Sequence, residues 1–130
     1  MTESTQYRIR PLILLVDDDV DTLDALSGFL ESRDFDVVIA ADGRAALELA
    51  RTEQPDVVLL DMQLPGATGV EVARMLKEDV NTVNSAIIAF TANSDRYLME
   101  EVIRAGCESY LAKPATPDVI ESEIWRVLAR

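Results

Sequence analysis

The sequence predicts an α/β fold, a single doubly wound five-stranded parallel sheet in the order 2-1-3-4-5 with five helices, and three observations carry that expectation. First, five short runs rich in apolar residues alternate with five segments whose apolar residues recur at helical spacing, as in βαβ units joined by right-handed crossovers. Second, four of the runs stop on a reactive polar residue: Leu12–Val16 on Asp17, 57–60 on Asp61, 86–90 on Thr91 and 110–112 on Lys113. In an open parallel sheet the ligand crevice lies beyond the carboxyl ends of the strands, so these side chains are expected to converge. Third, the run Asp36–Ala40 ends on alanines, which suits the remote edge that this strand order assigns to it.

The first strand, Leu12–Val16, is uniformly apolar, as befits a parallel strand covered on both faces. A helix follows over about 19–32, with Leu23, Leu26 and Leu30 at i, i+3 and i+7 and an acidic start that suits the positive end of its dipole. After the second strand, Asp42-Gly43 opens a helix that ends near Thr52, and Pro55 marks entry to the third strand. A turn-rich loop, Leu64-Pro65-Gly66-Ala67-Thr68-Gly69, leads from Asp61 into a helix reaching about Glu78, and a polar connection spans 79–85. The fourth strand is followed by a helix over about 94–105, with Gly106 as its left-handed terminator. The fifth strand covers about 109–113, and a last helix begins after Pro117 with Ile120, Ile124 and Leu128 inward.

A chain of 130 residues is long enough for one compact core and short for two ordinary domains. We read residues 1–10 as a polar N-terminal extension and 11–130 as the domain. A composition 48% apolar and 28% charged fits a folded protein. Twelve basic residues against twenty-four acidic ones give a net charge of −12, whose field repels nucleic-acid phosphates and anionic lipid, so neither direct nucleic-acid binding nor membrane binding is expected. Residues 1–10 are too polar for a signal peptide, and no apolar stretch approaches the ~18 residues of a membrane span. Cys107 is the sole cysteine, which rules out an intrachain disulfide and suits a reducing, cytoplasmic compartment. It reads as a small apolar residue after a helix end.

The chain has no histidine, which removes the usual general base, the commonest zinc ligand and any phosphohistidine of its own. Chemistry must then run through carboxylates, and hard oxygen ligands point to magnesium or calcium. The run Asp17-Asp18-Asp19 imitates an EF-hand through Asp17, Asp19 and Asp21, but Thr22 stands at the glycine position and Gly28 at the bidentate glutamate position.

Four pieces, Leu14-Leu15-Val16-Asp17-Asp18-Asp19, Leu60-Asp61-Met62-Gln63-Leu64-Pro65-Gly66, Phe90-Thr91-Ala92 and Tyr110-Leu111-Ala112-Lys113-Pro114, stand in this order in the chain. In kind and separation they resemble the receiver domain of two-component response regulators, a flavodoxin-like family, from about Pro11 to Arg130. The resemblance implies that Asp61 is the phosphoacceptor, Thr91 the switch hydroxyl, Tyr110 the switch aromatic and Lys113 the phosphate partner, with a cis peptide before Pro114. It also implies Mg2+ held by Asp18, Asp61 and the backbone carbonyl of Gln63, with Asp17 acting through water. Physics runs the same way. Crowded carboxylates repel, so one keeps its proton unless a divalent cation neutralises them, and an aspartate can accept a phosphoryl group.

The implied protein is a phosphorylation-activated signalling switch and not an enzyme in the ordinary sense. Its donor would be a phosphohistidine on a sensor histidine kinase or histidine phosphotransfer protein, or a small acyl phosphate. Its readout face would be the helix after Thr91, the fifth strand and the last helix, engaging a downstream protein target or forming a phosphorylation-dependent homodimer. Thr68 stands where the family commonly has aspartate, and Ala115 where a bulky apolar residue is frequent. Gln63 and Asn93 occupy positions that tune attacking-water access in the family. A stand-alone regulator and a receiver excised from a longer polypeptide both fit.

Each residue also has a plainer reading. Asp17-Asp18-Asp19 would serve as a helix cap, Asp61 as an Asx turn, Thr91 as an ordinary strand residue and Tyr110 as core packing. Trp125, off the inward stripe of the last helix, reads as a half-buried flank. Lys113 is one of only two lysines, the other being Lys77 at a charged helix end. Two rival functions remain: a haloacid-dehalogenase-like Mg2+-dependent phosphatase using Asp17-Asp18-Asp19 as its Asp-x-Asp, and a receiver-like scaffold that is not phosphorylated.

Overall fold

The computed structural model describes residues 9–92 and 96–129. Five strands, β1 (Leu12–Val16), β2 (Asp36–Ala40), β3 (Val57–Asp61), β4 (Ala86–Thr91) and β5 (Ser109–Ala112), alternate with α1 (Val20–Glu31), α2 (Gly43–Glu53), α3 (Gly69–Glu78), α4 (Arg96–Arg104) and α5 (Pro117–Leu128). All strand pairs are parallel, in the order β2-β1-β3-β4-β5, as the sequence predicts. Residues 1–8 of the expected extension, Ser94 at the expected start of the fourth helix, and Asn93 lie outside the described residues.

Boundaries moved by a residue or two where pairing or capping decided them. β3 and β4 run through Asp61 and Thr91, because Asp61 still pairs with Phe90 and Thr91 with Ala112. β5 stops one residue short of Lys113. α1 starts at Val20 because Asp19 is its N-cap, accepting a hydrogen bond from the Asp21 N–H. Thr68, where the resemblance leads one to expect aspartate, makes a full capping box with Glu71 at the start of α3, so the hydroxyl does a cap's work there. In α5 the buried stripe is Ile120, Ile124 and Val127, while Leu128, expected inward, packs at the margin of the core.

Period-two alternation divides the sheet's side chains between two apolar layers. Leu14, Val16, Val58, Leu60, Ile87 and Ala89 meet α2, α3 and α4 on one face. Ile13, Leu15, Val57, Leu59, Ile88 and Phe90 meet α1 and α5 on the other. Truncating a fully buried member such as Leu60 to alanine would cost about 2–5 kcal/mol. Trp125, 44% exposed, lays its ring against buried Phe35 with centroids 4.7 Å apart, the half-buried flank expected for it.

Lys77 stands in the last turn of α3, the charged helix end expected for it, and it is also held by several partners there. Its Nζ donates to the carbonyls of Val83 (3.1 Å) and Ser85 (2.8 Å) and to Glu108 Oε1 (2.8 Å), while Glu108 Oε2 accepts from the Ile87 N–H. These contacts tie α3 to the amino ends of β4 and β5, away from the crevice. Gly106 terminates α4 with φ +103, and a Cβ there would lie 2.7 Å from Lys77 Cγ. The glycine therefore serves both the left-handed turn and the approach of the lysine stem.

Candidate functional site

The carboxyl ends of β1, β3, β4 and β5 bring the expected polar residues to one end of the sheet. Asp17 follows β1 with its N–H donating to the Ala40 carbonyl (3.2 Å), so its backbone is held by the adjoining strand end. Its Oδ1 accepts from the Asp19 N–H (2.9 Å). Asp19 turns away, accepting from the Thr22 hydroxyl (2.9 Å) and the Asp21 N–H (3.1 Å). The Thr22 hydrogen bond is the main cause that holds the Asp19 carboxyl below its ordinary range. The acidic run thus divides its labour, and the plain capping reading holds for Asp19 alone.

Asp61 ends β3 with its two oxygens assigned differently. Oδ1 accepts from the Gln63 N–H (2.9 Å), the Asx turn of the plainer reading, while Oδ2 lies 3.1 Å from Lys113 Nζ. The same ammonium lies 3.2 Å from Asp17 Oδ2. Lys113 reaches them from the end of β5, where its N–H donates to the Thr91 carbonyl (2.8 Å) and its bond to Pro114 is cis, as expected. Thr91, 1% exposed at the end of β4, stands one residue beyond the Asp61–Phe90 pair.

Carboxylate oxygens of Asp17, Asp18 and Asp61 lie within 4.8 Å of one another, the one acidic cluster among the described residues that could hold a metal ion. Asp17 and Asp61 are buried and Asp18 is exposed. Burial is the main cause that raises the Asp61 pKa, and the Asp17 charge adds to it, outweighing the Gln63 N–H and the Lys113 ammonium. Burial also opposes the Lys113 charge, but hydrogen bonds and attraction from Asp61 and then Asp17 prevail and raise its pKa. One amine does not neutralise this many acids, and a hard divalent cation with room for further oxygen ligands fits the remaining charge.

Tyr110 is 47% exposed on β5, which corrects its plainer reading as core packing. It borders an open groove of about 400 Å3 with Arg96, Met99 and Ile103 of α4. A second groove, about 450 Å3, runs beside Lys113 between Asp19, Leu26, Phe90 and Ala115. A third, about 520 Å3, lies at the other end of the sheet around Pro55, Ser85 and Glu108, away from the acids. Cys107 is buried, with its thiol pushed up to about 12 by burial first and Glu108 second.

In the sequence Gly69 reads only as part of the turn-rich loop after Asp61, which leaves its packing role unforeseen. A Cβ there would stand 2.5 Å from Met62 Cα and 2.6 Å from the Asp61 carbonyl oxygen, so only glycine lets α3 close against the backbone that carries Asp61. Its N–H donates to the Met62 carbonyl (3.1 Å). The available signal was a second glycine, directly after the cap, in the loop following the acid.

A family model described as the response regulator receiver domain matches residues 13–124. The chain is 34% identical over 122 residues to the DNA-binding response regulator MtrA of Mycolicibacterium paratuberculosis, covering 94% of this chain and 53% of MtrA. It therefore spans about half the length of that relative. It is 32% identical over 111 residues to the polar-differentiation response regulator DivK of Brucella anthropi, covering 85% of this chain and 90% of DivK. Among solved structures, the receiver domain of sensor histidine kinase PA1611 from Pseudomonas aeruginosa PAO1, with magnesium coordinated in its active-site cleft, superposes with TM-score 0.84 at 30% identity over 93% of this chain and 99% of its own. The chemotaxis response regulator CheY4 of Vibrio cholerae does so with TM-score 0.86 at 27% identity, over 91% and 98%. The phosphatase reading is not favoured, since Asp19, the second acid of its motif, is committed to capping α1. With five parallel strands in this order, an acid cluster and lysine at their carboxyl ends, and a family match across most of the chain, the protein belongs to the response regulator receiver domains of two-component signal transduction.

Proposed function

We propose that this domain accepts a phosphoryl group on Asp61, and the observation that carries the reading is the Asp61 carboxylate set between the Lys113 ammonium and the acids Asp17 and Asp18. Asp61 Oδ2 attacks the phosphorus of the donor, the bond from phosphorus to the donor's imidazole nitrogen or acyl oxygen breaks, and the leaving group departs with that electron pair. Lys113 then exchanges its hydrogen bond on Asp61 for one on a phosphoryl oxygen, and the Thr91 hydroxyl supplies another. Bound Mg2+, held by Asp18, Asp61 and the Gln63 backbone carbonyl with Asp17 through water, would neutralise charge on the transferring group. Oδ1 stays with the Gln63 N–H, which fixes the carboxylate plane so that Oδ2 is the oxygen presented.

As in the family this chain belongs to, the donor would be a phosphohistidine of a sensor histidine kinase or histidine phosphotransfer protein, and the chain, with no histidine, does not carry one itself. The added charge of about −1.5 to −2 draws Thr91 inward and biases the α4, β5 and α5 surface with Tyr110 at its centre, to which a downstream protein docks or a second copy pairs. The −12 charge of the chain favours a protein target over nucleic acid for this domain, which we place at 11–130. Among the described residues no helix is long and apolar enough to cross a membrane, and we place the domain in the cytoplasm with its kinase.

The test is intact mass of wild type and Asp61→Asn after incubation with acetyl phosphate, with and without Mg2+. One phosphoryl adduct that requires Mg2+ and is lost in the variant is the expected result. An adduct at full stoichiometry in the variant would overturn the assignment, and none on either protein would favour the unphosphorylated scaffold.

A further inference from the structure

We propose that Phe90 is a positioning residue for phosphoryl transfer: its ring lies under the Lys113 ammonium, 5.1 Å from Nζ to the ring centroid, and keeps that ammonium at the site while its anionic partners change. This rests on the reading of Asp61 as phosphoacceptor. No other aromatic contact to either lysine stands among the described residues, and the site residues named from the strand ends leave Phe90 as plain strand packing.

The placement is built from several sides. Phe90 is 6% exposed and pairs in register with Asp61 on one strand and Leu111 on the other. Its carbonyl accepts the Met62 N–H (3.0 Å), and its ring packs in the layer beneath α1 and α5. The ring is therefore anchored by the same register that anchors the acceptor. Lys113 sits on a four-carbon stem that loses considerable rotamer freedom when held in one place. Two of its three N–H donors go to Asp17 and Asp61, and the Asp61 contact is the one that must be given up when that oxygen bonds to phosphorus. The ring's negative face does not change during transfer, so it holds the ammonium through the exchange. An aliphatic side chain of similar bulk fills the space and lacks this attraction.

The experiment compares wild type, Phe90→Leu, Phe90→Tyr and a protein carrying pentafluorophenylalanine at position 90, which keeps the ring's shape and reverses its electrostatics. With only two lysines in the chain, the Lys113 ε-methylene protons are readily assigned by NMR in the absence of any phosphoryl donor. They should be shifted upfield by the ring in wild type and return toward the ordinary lysine position in Phe90→Leu. With acetyl phosphate and Mg2+, Phe90→Leu and the pentafluoro protein should phosphorylate about two- to fivefold more slowly at saturating donor, with half-saturation little changed, and Phe90→Tyr should restore the rate. Wild-type rates in both, or an unshifted Lys113 signal in wild type, would overturn the proposal. A wild type that takes no phosphoryl group would instead overturn the acceptor reading, and the Lys113 signals would still decide whether the ring holds the ammonium.

Discussion

Lys113 Nζ stands 3.1 Å from Asp61 Oδ2, so the amine touches the very oxygen proposed to accept the phosphoryl group. The pair spans 52 residues of sequence and clamps the end of β5 to the end of β3. On that proposal an incoming phosphoryl group would replace an existing interaction, and the lysine need only move from one oxygen to a neighbouring one.

Removing the amine should expose the repulsion it relieves. Lys113→Met is expected to lose about 1–3 kcal/mol at neutral pH without Mg2+, less than a fully buried pair because the lysine side chain is 29% exposed. Saturating Mg2+ should recover part of that loss, because the cation relieves the same repulsion. Urea denaturation with and without Mg2+ measures both, and a loss that Mg2+ leaves unchanged would refute the electrostatic account.

The raised Asp61 pKa has a defined sign for stability. The fold favours the protonated carboxyl, so this group's contribution is complete below the ordinary carboxylate pKa and is lost as pH rises through the higher folded-state value. Asp61→Asn, which stays neutral, should therefore raise the melting temperature at pH 7 without Mg2+ by a few degrees, roughly 3–5 °C, and give little gain near pH 3. A variant less stable than wild type at pH 7 would show that Lys113 contributes more to the ionised form than burial takes away.

Asp18 is the exposed member of the acid cluster, and as a proposed Mg2+ ligand it would act through its charge. Asp18→Asn should weaken Mg2+ binding about tenfold or more, measured by calorimetric titration, because the ligand set loses one full charge. The fold should be unaffected, as Asp18 is exposed and the apolar layers do not include it. Unchanged affinity would remove Asp18 from the ligand set.

Lys77 is expected to matter for stability and not for chemistry. Lys77→Met leaves the Val83 and Ser85 carbonyls and the Glu108 carboxylate without this ammonium in a partly covered site, at a cost of about 1–3 kcal/mol. Phosphorylation of Asp61 by acetyl phosphate should continue at the wild-type rate under folding conditions, since Lys77 lies at the opposite end of the sheet. A variant as stable as wild type in urea would show the contacts to be incidental.

The sequence by itself determined the strand order, the five helices and the convergence of Asp17, Asp61, Thr91 and Lys113 on one end of the sheet. These follow from local signals: period-two and period-3.6 patterns, glycines and prolines at turns, and a polar residue at each of four strand ends. Boundaries at Asp61, Thr91 and Val20 shifted because ladder pairing and the Asp19 cap settle them. Only the tertiary structure decided that Asp19 caps a helix while its neighbours face the site, that the Tyr110 ring points outward, that Lys77 locks α3 to two strands, that Gly69 lets α3 close on Asp61, and that Phe90 lies beneath Lys113. The physical reason is distance along the chain. A pattern of adjacent residues encodes which face of an element is apolar, whereas a contact such as Lys113 with Asp17, 96 residues apart, exists only once the packed sheet has set both ends in place.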